Sequence, residues 1–328
     1  MVRIALIGAG QIGSRHLQAL AHLPEAEIWI YDVSEASLQV AIERFQQVSS
    51  TTDFVGNCHL VTNMAAFPAH VDVAFITTTA QHRRQAFDQM LQHTMPRFVV
   101  FEKVLFQRIQ DLEEVKAELH HRGIPGYVNF PRRQYPVYQQ LKQSILADHD
   151  RSIHLQVTGG QWGLACNGLH FIDLFSFITG SETFEIDAKG LTGVPFESKR
   201  AGFFEVNGTL RVTDDRGNSM ALSCLEEPFA SNVSITTTKR WMTISEGVAQ
   251  PMQASGKAND GWKPESAPCI IPYQSQLSHL VVQDLMKTGT CDLPSYDEAL
   301  PPHAKFLSTL LTHFRTHMGW NHDYCPIT

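Results

Sequence analysis

An apolar run from Val2 to Ile7 feeds directly into Gly8-Ala9-Gly10-Gln11-Ile12-Gly13, and this G-x-G-x-x-G pattern constrains the fold more than any other part of the chain. A strand, tight turn and helix built to hold a dinucleotide begin in this way. Gly8 permits the turn, Gly10 lets the backbone approach a pyrophosphate, and Gly13 lets the helix pack closely on the strand. The helix start, with Gln11 and Ile12, then offers N–H groups and a positive dipole end to phosphate. About twenty residues further on, the apolar run 27–31 ends in Asp32, where a carboxylate accepts hydrogen bonds from ribose hydroxyls. No Lys or Arg follows Asp32 closely enough to neutralise a 2′-phosphate, so NAD is expected ahead of NADP.

With 328 residues the chain has room for two domains, and its formal net charge of −7 without a Lys/Arg cluster argues against nucleic acid or an anionic membrane as partner. No apolar stretch approaches the roughly twenty residues that cross a bilayer, and 2–7 is too short for a signal peptide. A cytoplasmic protein acting on a small molecule is the expectation. The six cysteines (58, 166, 224, 269, 291 and 325) form no C-x-x-C pair, which predicts free thiols rather than disulfides or a structural zinc site.

Up to about residue 125, short apolar runs at 3–7, 27–31, 71–76, 98–101 and 125–130 alternate with helical periodicity at 34–48, 82–92 and 111–121. This predicts a Rossmann-type α/β domain, a doubly wound parallel sheet, over 1–125. A helix at 136–147 then leads to β-rich runs at 153–159, 203–212, 220–225, 232–237 and 241–244, separated by turns such as Asp214-Asp215-Arg216-Gly217-Asn218. The pattern predicts an α+β domain over 126–328 with a large open, mainly antiparallel sheet made of hairpins. The polar, Gly/Ser/Pro-rich segment 249–268 reads as a loop or lid, and 302–314 as a closing helix.

Over essentially its whole length the chain resembles the family of glucose-fructose oxidoreductase and inositol 2-dehydrogenase, the Gfo/Idh/MocA type. Four landmarks beyond the glycine motif carry the resemblance. Thr77-Thr78-Thr79-Ala80-Gln81-His82 stands where the family has T-P-N-x-x-H, matching at Thr77 and His82. Glu102-Lys103 takes the place of E-K-P. Asn129-Phe130-Pro131-Arg132-Arg133, with Pro136 behind it, is similar to the strand and R-x-x-P segment entering the second domain. Gly168-Leu169-His170-Phe171-Ile172-Asp173-Leu174 looks like the family's G-x-H-x-I-D-L helix.

The resemblance implies hydride transfer between a nicotinamide and a secondary alcohol or ketone of a sugar, polyol or sugar nucleotide. Thr77, Thr78, His82, Glu102 and Lys103 would then line the cofactor. Alcohol oxidation needs a base near the hydroxyl, and a lysine amine, ordinarily near about 10.4, can be brought toward roughly 7 to 8 in a desolvated cleft. Lys103 is the expected acid/base and His170 its partner, while Asp173, one helical turn on, reads as structural. Asn129, Arg133, Trp162, Cys166 and Asn167 are the further substrate-side candidates, together with Lys103 and His170. Trp162 suits stacking on a sugar ring and equally a core position; Arg133 suits a carboxylate or phosphate and equally a salt bridge.

Two positions depart from the family. Cys166 stands where the catalytic aspartate precedes the histidine by four positions, removing a carboxylate from the proton relay. Val104 replaces the proline after the lysine, which predicts a different loop path if relatives use a cis bond there. Cys166 and His170 also share i, i+4 spacing, but no further ligand cluster accompanies them, so no metal is expected. The other histidines, including His120, His121, His313 and His317, read as solvated. A catalytically impaired NAD(P)-binding sensor or partner subunit is the alternative function, and transient oxidation during glycoside cleavage a third. The open sheet suggests a homodimer or homotetramer.

Overall fold

Residues Ile4 to Ile7 are all fully buried rather than alternately exposed, which places strand β1 (Arg3–Ile7) inside a sheet covered on both faces. In the computed structural model, which describes residues 1–48 and 57–328, β1 joins β2 (Glu27–Tyr31), β3 (Cys58–Val61), β4 (His70–Ile76), β5 (Met95–Phe101) and β6 (Gly126–Val128). The six strands are parallel in the order β3-β2-β1-β4-β5-β6, with Ile4 beside Ile28 on one side and Val73 on the other. Helices α1 (Gln11–Leu20), α2 (Glu35–Gln46), α3 (Ala80–His93) and α4 (Ile109–Arg122) alternate with them. The strand order reverses between β1 and β4, which opens a crevice at the carboxyl ends where such sheets bind ligands.

The chain divides into two units, Met1–Phe106 with Gln110–Pro131 and Pro272–Ala299, and Gln107–Ile109 with Arg132–Ile271 and Leu300–Thr328. The observed units differ from a division at 125/126, because the segment from Pro272 returns to the first. Its helix over Ser278–Thr288 carries Val281, Val282 and Leu285 into one core with Ile4, Leu6, Ile28 and Ile30, and Leu293 joins them. The Val128 N–H donates to the Pro294 carbonyl at 3.0 Å. This helix was not expected from the sequence, although Leu277, Val281 and Leu285 recur four apart.

In the second unit, α5 (Pro136–Ala147) starts with proline in its first turn, where no backbone donor is needed. It is followed by β7 (His154–Gly160), α6 (Leu164–Thr179), β8 (Glu185–Glu197), β9 (Phe204–Thr213), β10 (Ser219–Leu225), β11 (Phe229–Thr236), β12 (Arg240–Ser245), β13 (Met252–Lys257) and β14 (Glu265–Pro268). The eight strands lie in the order β14-β13-β12-β11-β7-β10-β9-β8. All neighbours are antiparallel except β7 and β10, which run parallel from His154 beside Ser219 to Gly160 beside Leu225, so hairpins alone do not build the sheet. Helix α6 packs on β9 and β10, and its Gly168 lies so close to Phe306 that an added methyl would sit 3.0 Å from that ring.

Two sequence expectations are corrected, and one strand lay outside them. The 249–268 segment is not a loop but contributes β13 and β14; its polarity is that of a sheet edge, every residue of β14 being exposed. Strand β8 escaped the pattern because most of its residues are exposed, which hides the apolar alternation. His313 is buried rather than solvated, its ring 4.3 Å from that of His317, whereas His120 is exposed and pairs with Asp297. Among the described residues, no helix is long and apolar enough to cross a membrane.

Candidate functional site

In the first unit the candidate residues collect at the carboxyl ends of the parallel strands: Gly8 follows β1, Asp32 follows β2, Thr77 follows β4, Glu102 and Lys103 follow β5, and Asn129 follows β6. The three glycines meet different constraints. Gly8 has φ +101°, which L side chains rarely adopt, and a Cβ on Gly13 would lie 1.9 Å from the Gly8 carbonyl oxygen. A Cβ on Gly10, in contrast, would meet nothing within 4 Å. Gly10 caps α1 and, among the described residues, no side-chain cap accepts from its first N–H groups; Gln11 is exposed beside it. The helix start therefore keeps the donors that a pyrophosphate requires, and these residues fit a dinucleotide.

The Asp32 carboxylate accepts from the Ala9 N–H at 2.7 Å and the Ser34 N–H at 2.9 Å, so it fixes the glycine turn to the start of α2. The buried Thr77 hydroxyl donates to the Ile7 and Gly8 carbonyls at 3.0 and 2.6 Å. Thr77 thereby holds the turn from behind. Thr78 is half-buried and His82 is exposed in the first turn of α3.

Behind the strand ends lies a buried network that the sequence did not reveal. His16 contacts Ser278 through Nδ1 and Glu102 through Nε2, both at 2.8 Å. Asn129 donates through Nδ2 to Glu102 at 2.6 Å and to Gln274 at 2.9 Å, and Gln274 donates to Ser278 at 3.1 Å. Burial alone would raise the Glu102 carboxyl, but the His16 bond and charge, the Asn129 bond and the nearby Arg83 charge outweigh it and hold the group below its ordinary value. Glu102 and Asn129, expected on the cofactor and substrate sides, thus have polar partners within the protein, and half-buried Lys103 directly follows Glu102.

Arg83 was also missed, although it falls on the apolar stripe of α3 with Ala80, Phe87 and Met90. It is 1% exposed and donates to the carbonyls of Thr78, Val104 and Leu105, the last at 3.1 Å. Burial pushes its guanidinium down to about 10, opposed by the Glu102 charge. The Lys103–Val104 peptide is cis, contrary to the expectation drawn from Val104.

In the second unit, α6 begins at Leu164. Gly163, at φ +77°, caps it, and Glu205 on β9 reaches over the cap. The Glu205 carboxylate accepts from the N–H groups of Ala165 at 2.8 Å and Cys166 at 3.3 Å. Asn167 donates through Nδ2 to the Trp162 carbonyl at 2.7 Å, and the Trp162 indole N–H donates to the Ser223 carbonyl at 2.9 Å. Trp162 packs edge-on against Phe171, its ring centroid 5.4 Å away. Arg133 takes the salt-bridge reading: its Nε and Nη2 lie 2.8–3.1 Å from the Asp173 carboxylate. His170 and Cys166 are half-buried one turn apart on α6. Among the described residues, no group of three or more His, Cys, Asp or Glu is arranged to hold a metal ion.

Comparison with known proteins places this geometry. Residues 2–130 match the model of an oxidoreductase family with an NAD-binding Rossmann fold. An uncharacterized oxidoreductase, YrbE, of Bacillus subtilis (strain 168) is 24% identical over 205 residues, and the match spans 56% of this chain and 56% of that protein, just over half the length of each. Among solved structures, UDP-N-acetylglucosamine 3-dehydrogenase GnnA from Acidithiobacillus ferrooxidans superposes with a TM-score of 0.71 at 15% identity, covering 95% of this chain and 98% of that one. The 3-ketoreductase KijD10 from Actinomadura kijaniata, in complex with NADP and TDP-benzene, gives 0.69 at 16% identity over 95% and 97%. These similarities show a shared fold over nearly the full length. Residues 2–130 thus match the Gfo/Idh/MocA oxidoreductase family with its NAD-binding Rossmann fold, and the two-domain architecture is the fold shared with these structures.

Proposed function

We propose that this protein is an NAD(P)-dependent oxidoreductase acting on a secondary hydroxyl, or the matching ketone, of a sugar, polyol or nucleotide-linked sugar. The observation that carries the reading is the row of strand ends in which an uncapped helix start at Gly10 and Lys103 belong to one parallel sheet. Gly8, Gly10, Gln11 and Ile12 would hold the pyrophosphate and Asp32 the ribose, with NAD preferred because the Asp32 charge opposes a 2′-phosphate. When bound, the nicotinamide accepts or donates the hydride. Lys103 takes the proton from the alcohol oxygen in oxidation and returns it to the carbonyl oxygen in reduction. In the second unit, His170, Trp162 and Asn167 are the residues we assign to substrate contact.

The names of GnnA and KijD10 support including nucleotide-linked sugars in the substrate class. The open eight-stranded sheet makes a homodimer or homotetramer the expected assembly, which light scattering measures. A second reading, an NAD(P)-binding sensor, rests on Cys166 in place of an aspartate. Thermal-shift titration with NAD, NADH, NADP and NADPH, followed by a sugar, polyol and sugar-nucleotide panel read at the nicotinamide absorbance, separates the two. Stabilisation with turnover is expected. Binding without turnover on any class, together with turnover gained on Cys166→Asp, would favour the sensor.

A further inference from the structure

We infer that Arg83 is a positioning residue for Lys103, clamping the turn after β5 to the turn after β4. The inference rests on the proposed role of Lys103 in proton transfer. A fully buried arginine is costly unless its donors are used, and here both terminal nitrogens donate to backbone carbonyls rather than to a carboxylate, while Nε has no hydrogen-bond partner among the described residues. Those carbonyls belong to two chain segments. Val104 and Leu105 immediately follow Lys103, and Thr78 lies in the turn that backs the glycine motif. The planar fork spans both segments at once, which a lysine ammonium does not reproduce.

The other side of Lys103 is fixed by a different device. Glu102 is held by His16 and Asn129, so the lysine stands between a carboxylate locked from one direction and two carbonyls locked from the other. The Glu102 carboxylate is also the nearby negative charge that balances buried Arg83. Both flanks of the lysine are thus set by α1, α3 and the turn after β6, all in the first unit. Preorganisation of this kind matters because a displacement of about 1 Å at a reacting group can cost roughly a hundredfold in rate.

The test uses the full-length protein as Arg83→Lys, which keeps the charge and loses the fork, and Arg83→Met, which loses both. Far-UV circular dichroism and melting curves establish folding. Arg83→Lys is expected to lower kcat by about tenfold to a hundredfold with the dissociation constant for NAD nearly unchanged, a split that loss of general stability does not produce. In the cofactor-free protein, the rate at which acetic anhydride acetylates Lys103, mapped by mass spectrometry against exposed Lys189 as internal control, is expected to change in both variants. A folded variant with wild-type kcat and wild-type Lys103 reactivity would overturn the inference, as would failure of both variants to fold, which would make Arg83 a residue of general stability. Lys103→Ala run in parallel keeps the two readings apart. If Lys103→Ala retains turnover, the proposed function fails; if wild type turns over nothing in the panel, the labelling rates still decide Arg83.

Discussion

Among the described residues two helices start at a glycine, and the chain treats them in opposite ways. At α1 the cap is Gly10, no side-chain cap accepts from the first N–H groups among the described residues, and a Cβ on Gly10 would meet nothing within 4 Å. At α6 the cap is Gly163, the Glu205 carboxylate occupies the N–H groups of Ala165 and Cys166, and a Cβ on Gly163 would sit 2.8 Å from Glu205 Oε1. The same backbone donors and dipole are present in both. One end is open, where we propose that a pyrophosphate binds; the other is closed by the protein's own carboxylate on Ala165 and Cys166. A glycine before a helix therefore says that close approach is needed, while the partner at that helix end says whether a ligand or the protein supplies it.

Substitutions break or sharpen this contrast. The largest effect on stability is expected for Gly13→Ala, because its methyl would lie 1.9 Å from the Gly8 backbone oxygen and neither segment can move without disturbing the other; urea denaturation should show a loss of about 3 kcal/mol or more. Next comes Glu205→Ala, which strips a buried helix start of its acceptor. A loss of about 1–3 kcal/mol is expected in the same measurement, and none would mean that the closed end is not held by this carboxylate.

Glu102→Gln gives a smaller, pH-dependent effect. The folded carboxyl lies below its ordinary value of 4.5, so the ionised form favours folding above that pH, and the advantage fades as pH falls toward the folded value. The difference in melting temperature between wild type and Glu102→Gln should therefore be constant near neutrality and shrink on acidification below 4.5. The smallest change in stability is expected for Gly10→Ala, within about 0.5 kcal/mol. There the methyl meets no protein atom, but it occupies the space of the pyrophosphate, and NAD affinity by calorimetry should fall about tenfold or more. Unchanged affinity would show that the open helix end is not the nucleotide site.

The open end was legible in the sequence because one contiguous motif builds it, flanked by strands that read as continuous apolar runs. The closed end was not, because Glu205 lies forty residues from the helix start it satisfies, on a strand whose alternation reads as ordinary. Arg83 was missed for a related reason: a cation on the apolar stripe of α3 marks buried donors, but only the fold shows that the carbonyls come from the turn after β5. The His16 to Gln274 network joins five residues from four segments of the chain, which no local pattern announces. The edge hairpin of β13 and β14 read as a loop because exposed polar strands carry no apolar signature.

The most direct test of the account is the turnover of Lys103→Ala against wild type with NAD and the best substrate of the panel, after NAD binding to both has been matched. The account predicts a fall in kcat of roughly a hundredfold to ten-thousandfold, the usual worth of a positioned acid/base. A variant that binds NAD and turns over at the wild-type rate would contradict it and move the proton chemistry away from the end of β5.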